Sequence, residues 1–176
     1  MSGYFCGTVC NNCRRENLKL FLKGDRCFTE KCSFERRSYP PGQHGQKRSK
    51  FSEFALQLRE KQKVKRLYGL SEEQFRIYVK KASEERKGVA GENLLTHLDR
   101  RLDEVVYKLG FASSQRQGRQ LICHSHFLVN GKKVDIPSYK VKEGDAIEVH
   151  TKSRTLVPIV SALEGIKRRE IPQWLE

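Results

Sequence analysis

The chain has 176 residues, with 35 Lys and Arg against 21 Asp and Glu and a formal net charge of +14. Apolar residues make up 37% of it, enough for small cores but not for one large one. No run approaches the roughly 18 apolar residues needed to cross a bilayer, and the excess of cations points to a polyanion as partner.

The opening Met-Ser-Gly-Tyr-Phe-Cys has no charged region followed by an apolar stretch. No signal peptide is read there, so a reducing compartment is expected, where clustered cysteines favour metal over disulfides. Residues 1–35 then read as a metal knuckle with little secondary structure of its own. Cys10, Cys13, Cys27 and Cys32 follow the spacing C-x2-C-x13-C-x4-C. That is the pattern of one structural tetrahedral zinc ion, whose four thiolates lock together a segment too small to hold a core. Four protein ligands leave no position for water, so a catalytic metal is not expected. A reduced, metal-free cluster and an iron–sulfur centre are the alternatives. Cys6 precedes the set and is read as a spare thiol, and Arg14 and Arg15 add cations directly after the C-x-x-C pair.

Residues 1–70 hold 16 of the basic and 6 of the acidic side chains, so most of the net charge lies there. Residues 36–50, RRSYPPGQHGQKRSK, form a loop, because Pro40, Pro41, Gly42 and Gly45 forbid a helix. This strip is expected to be extended and to gain its order from whatever it lies on. Arg36, Arg37, Lys47, Arg48 and Lys50 make it strongly cationic. His44, between two glycines, is read as a satisfied loop histidine or an RNA-backbone contact. Ser52 caps a helix running to about Tyr68 and stopped by Gly69, with Arg59, Lys61, Lys63, Lys65 and Arg66 on its polar face. This basic strip is read as a nucleic-acid contact and not merely a solvated face.

Ser71 to Gln74 forms a capping box for a second helix, whose Phe75, Tyr78, Val79 and Ala82 share one face and which ends near Gly88. A third helix begins after Gly91. It carries Leu95, Leu98, Leu102, Val105, Val106 and Leu109 as one apolar stripe closed by Gly110. Ser113 or Ser114 caps a short helix bearing Arg116, Arg119, Leu121 and Ile122. Phe127 to Val129 is a strand, Asn130-Gly131 a hairpin turn, and Lys133-Val134 the start of the return. Residues 139–141 and 146–149 read as two more short strands, and a helical tail with Lys167, Arg168 and Arg169 follows. Cys123 is read as an ordinary helix-end cysteine, and Tyr139 as core or as a base-stacking residue.

Five stretches in this order carry a family resemblance: Arg36 to Gln46, Leu58 to Gly69, Gly91 to Leu95, Asp103 to Phe111 and Val129 to Val141. Together they make the chain resemble the small-subunit ribosomal protein S4 family of bacteria and organelles, in the type that keeps the zinc cysteines. The resemblance implies a structural constituent of the small ribosomal subunit that binds small-subunit rRNA directly, nucleates assembly and lines the mRNA entry channel. There Lys47, Arg48 and Lys50 match basic residues that help to open messenger structure. It also implies a compact RNA-binding module at 98–152, with a face on Arg116, Arg119, His124, His126, Asn130 and Lys132. His124 and His126 are weighed equally as capping or surface histidines. Cys6, Gly118, Cys123 and the end at Glu176 depart from the family pattern. Gly118 is expected to cost helix propensity of about 1 kcal/mol, and the end to leave the helical domain without its usual completion.

The expected fold is α+β: an N-terminal zinc knuckle, a small all-helical domain, and a compact α+β RNA-binding module with short antiparallel strands. The segments are 1–45 for the knuckle and basic loop, 46–97 for the helical domain, completed by 153–176, and 98–152 for the module. Expected partners are small-subunit rRNA, mRNA at the entry channel and neighbouring small-subunit proteins, on a cytoplasmic or organellar ribosome, with no membrane and no small-molecule substrate. No enzyme is expected, since the acids are scattered singly and no phosphate loop or nucleophile elbow occurs. Two other classes remain as alternatives: an RNA-modifying enzyme carrying the same module, and a zinc-dependent DNA-binding regulator.

Overall fold

A computed structural model describes residues 9–47, 50–168 and 171–175. Cys6, Arg48 and Arg169, named above, lie outside the described residues, as do the side chains of Lys167 and Arg168. The chain divides into two compact units, residues 1–75 and 76–176.

In the first unit, α1 (Val9–Glu16) carries both residues of the C-x-x-C pair, and a short 3-10 turn (Gly24–Phe28) carries Cys27. Cys32 is the N-cap of the one-turn helix α2 (Ser33–Arg36). This segment therefore has more regular structure than the sequence suggests, because α1 packs against both α2 and α3 (Glu53–Leu67). The basic loop is not extended over residues 41–47. It folds into successive turns, with Gly45 N–H donating to Gly42 O and Lys47 N–H to His44 O.

The bounds of α3 follow local chemistry. Ser52 Oγ accepts from Ala55 N–H at 3.3 Å. At the other end Gly69 takes φ +59° while Leu70 N–H reaches back to Lys65 O, the bond pattern of a glycine-terminated helix. Ser71 Oγ likewise accepts from Gln74 N–H at the start of α4 (Glu72–Glu84). Phe75 and Ala82 on α4 are buried as expected, but Val79 is exposed and the helix stops before Gly88.

The second unit departs from the sequence reading at one instructive place. The expected single helix is two, α5 (Ala90–Asp99) and α6 (Leu102–Lys108), broken at Arg100 and Arg101. Leu102 N–H donates to Tyr139 O at 2.9 Å, Asp103 N–H to Pro137 O at 3.1 Å, and Val141 N–H to Arg100 O at 2.8 Å. Residues 137–141 therefore bond to the helix break, and the strand expected at 139–141 is only an isolated bridge between Arg101 and Lys140.

After α6 come α7 (Gln115–Cys123), capped by Ser114, and a three-stranded antiparallel sheet of order β2-β1-β3. Its strands are β1 (Phe127–Val129), β2 (Lys132–Lys133) and β3 (Ile147–Val149). Asn130 at φ +51° and Gly131 at φ +74° make the tight turn that suits the strand twist. Leu102, Val106, Ala112, Leu121, Ile122, Phe127 and Val129 close one apolar core, and Ile159 of α8 (Val157–Glu164) is buried with them. Gly118 sits where α7 crosses α6: an added Cβ would meet Asp103 O at 3.3 Å and Ala112 Cβ at 3.5 Å. Close helix contact thus accompanies the glycine that propensity alone would disfavour.

Candidate nucleic-acid interface

Four thiols gather in the first unit. Cys13, Cys27 and Cys32 are buried and Cys10 is half-buried. Burial raises the Cys13 thiol pKa, a backbone hydrogen bond from Leu20 opposes that, and Cys27, Cys10 and Cys32 push it further up. Burial likewise raises Cys27, against a Lys23 N–H that donates to its Sγ at 3.4 Å. The thiols thus feel one another's charge, and two of them accept backbone N–H bonds of the kind a thiolate needs. Yet no group of three or more His, Cys, Asp or Glu among the described residues is placed to hold a metal ion. As a donor set the four cysteines fit zinc.

The cations expected on the interface divide into two groups. Arg15, Arg36, Arg37, Lys47, Lys50, Arg116 and Lys132 are exposed and outside every ion pair of the described residues, and His44 and His124 are exposed beside them. The others are committed within the protein. Arg14 lies 5.1 Å over the Tyr39 ring, and its Nε donates to Tyr39 O at 3.0 Å. Arg59 and Arg66 both pair with Glu16, whose side chain is fully buried. Burial lowers the Arg66 pKa, and Glu16 opposes that shift. Lys63 pairs with Glu60. Lys61 and Lys65 share Glu72 and hold its carboxyl down at about 2 through their hydrogen bonds. Lys65 is only 7% exposed, so the structure places it under the surface.

In the module, Arg119 Nη2 reaches Asp103 Oδ2 at 3.0 Å and is half-buried. Asn130 spends its side chain on the hairpin, donating to Asp145 at 2.8 Å and accepting from Ala146 N–H at 2.9 Å. His126 Nδ1 lies 2.9 Å from Ser153 Oγ. Burial, then the neighbouring His124 and His150, lower its pKa and so favour its neutral form. Exposed Arg100, Lys133, Lys140, Lys142 and Arg154 add positive charge that the residue reading did not single out. Their only signal is position: Arg100 ends α5, and the others flank the turns and strands around the hairpin. Glu16 and the buried Arg101, Asp103 and Glu104 were also missed, since their partners lie far away in sequence or inside a helix break.

Exposed cations carried on a small helix-and-hairpin module are the mark of a nucleic-acid-binding protein. The comparisons agree. Residues 5–99 match the family described as Ribosomal protein S4/S9 N-terminal domain, and residues 100–147 match the S4 domain. The small ribosomal subunit protein uS4 of Desulfatibacillum aliphaticivorans is 61% identical over 170 residues, covering 97% of this chain and 81% of the relative. That of Pelobacter propionicus is 61% identical over 172 residues, covering 98% and 82%. The uS4A protein of Bdellovibrio bacteriovorus is 61% identical over 169 residues, covering 96% and 81%. The chain belongs to the uS4 family of small ribosomal subunit proteins.

Proposed function

We propose that this chain is a structural constituent of the small ribosomal subunit that binds small-subunit rRNA by positioning and not by chemistry. The observation that carries the reading is the family match along residues 5–147, at 61% identity to proteins named for the small subunit. The exposed cations supply the means: each neutralised phosphate releases counterions, while a rigid scaffold reads the shape of a folded RNA. Localisation on a bacterial ribosome in the cytoplasm goes with this reading, and it calls for no enzymatic activity. Nucleation of assembly, contact with neighbouring small-subunit proteins, and a place for Lys47, Arg48 and Lys50 on messenger RNA at the entry channel belong to the same proposal. The division of labour among segments 1–45, 46–97 with 153–176, and 98–152 does too.

The four cysteines are proposed to hold one structural zinc ion. Three are buried, and backbone N–H groups stand ready to stabilise thiolates at Cys13 and Cys27. Bound there, zinc contributes folding energy to a segment with few apolar side chains. Binding to small-subunit rRNA and to a scrambled duplex of equal length, across a salt series, tests the function. A preference for the ribosomal RNA that persists at high salt is expected. Equal binding that collapses with salt would leave only a basic surface.

A further inference from the structure

Between Cys13 and Cys32 the chain presents two phenyl rings to solvent. Phe21 and Phe28 stack with centroids 5.0 Å apart and planes 29° apart, yet Phe21 is 38% and Phe28 43% exposed. Phe21 also holds φ +51°, a left-handed backbone that a bulky side chain adopts at a cost in strain. Glycine or asparagine would make that turn more easily. A ring needed only as cover would be better placed inward, as its neighbour Leu20 is, at 4% exposure.

The surroundings are cationic. Lys19 Nζ lies 6.0 Å from the Phe21 centroid while also pairing with Glu35. Exposed Lys23, Arg26 and Lys31 lie in the same segment, against exposed Asp25 and Glu30. Outward-facing aromatics among cations are the arrangement that binds unpaired nucleotides, with bases stacking on rings while phosphates meet the charges.

We propose that Phe21 and Phe28 form a stacking platform for an unpaired base of bound RNA, held beside a phosphate site supplied by Lys23, Arg26 and Lys31. This rests on the RNA-binding reading above and adds to it a ligand class, single-stranded bases, and a second kind of contact besides charge.

The test uses the full chain and two probes, a single-stranded adenine RNA of roughly 12 nucleotides and a perfectly paired duplex of the same length. Phe21→Leu keeps an apolar side chain but no ring to stack on. It is expected to weaken the single strand about tenfold, with little change in duplex binding, while Phe21→Tyr binds like the parent. Phe21→Trp combined with Trp174→Phe puts the only indole on the platform, and its emission is expected to be quenched by the single strand. If Phe21→Leu binds the single strand as the parent does, or the indole does not respond, the platform is refuted while RNA binding stands. If the parent binds neither these probes nor small-subunit rRNA, the RNA-binding reading itself fails.

Discussion

Arg101 and Asp103, two residues apart, close a two-point ion pair inside the second unit: Nε donates to Oδ1 at 2.9 Å and Nη2 to Oδ2 at 2.7 Å. Arg101 is 1% exposed. Burial opposes its charge, but the bonds to Asp103 and the Tyr78 hydroxyl, the latter at 2.8 Å, outweigh that and raise its pKa. Arg119 meets the same Asp103 carboxylate. The pair sits at the helix break whose backbone bonds to residues 137–141, so it fixes how α5, α6 and the loop after β2 meet.

Breaking such a pair strands a buried charge, which is costlier than never having built it. Asp103→Ala is expected to destabilise the protein by about 3–5 kcal/mol in chemical denaturation. Arg101→Met together with Asp103→Leu should cost less than Asp103→Ala alone. A double variant as unstable as the single one would mean that the pair is itself a net source of stability.

What could be read from the sequence was local. Ser52, Gly69, Ser71, Ser114 and Asn130-Gly131 act on neighbours within a few residues, and each cap or turn stands where the sequence placed it. The broken helix was not legible, because the apolar stripe from Leu95 to Leu109 continues across Arg100 and Arg101, while the bonds that open it come from residues 137–141. The same reason governs the interface. Arg59 and Arg66 look like surface cations until Glu16, 43 and 50 residues earlier, is folded against them. Sequence alone shows how many cations there are, and tertiary contacts decide which remain for a ligand.

That division makes the salt dependence of RNA binding diagnostic. Each phosphate contact contributes roughly 0.7–0.9 to the slope of log affinity against log salt. Lys47→Ala with Lys50→Ala should lower the slope by about 1.5. Lys65→Met, which removes an equally basic but buried residue, should leave the slope unchanged and alter thermal stability instead. Equal slope changes from both variants would place Lys65 at the RNA.

Glu104 gives the second unit a pH dependence. Burial pushes its carboxyl up to about 8, against the opposing charge of Lys108 3.8 Å away, with Asp99 and Asp103 raising it further. The folded state therefore holds a proton that the unfolded chain, with the ordinary carboxyl pKa of 4.5, releases. The contribution is complete below pH 4.5 and declines as pH rises towards 8. Glu104→Gln, which can still accept from the Gln115 amide, should flatten this decline and stabilise the protein at pH 8 by about 2 kcal/mol. Parallel stability curves for parent and variant from pH 5 to about 8 would show that Glu104 is ionised in the native state.

Zinc should matter to one unit and not the other. Cys13→Ser with Cys27→Ser removes two of the four proposed ligands, both buried, and leaves hydroxyls that do not hold zinc at neutral pH. Elemental analysis of the parent should find about one zinc per chain, and the variant almost none. Amide exchange is expected to accelerate in residues 9–45, because the proposed ion would supply folding energy to α1, α2 and the 3-10 turn at Cys27. Residues 92–152 should exchange as before, because the core of Leu102, Val106, Ile122 and Phe127 includes no residue of the cysteine segment. Equal metal content in parent and variant would refute the zinc assignment. Faster exchange throughout 92–152 would mean that the two units depend on each other for stability.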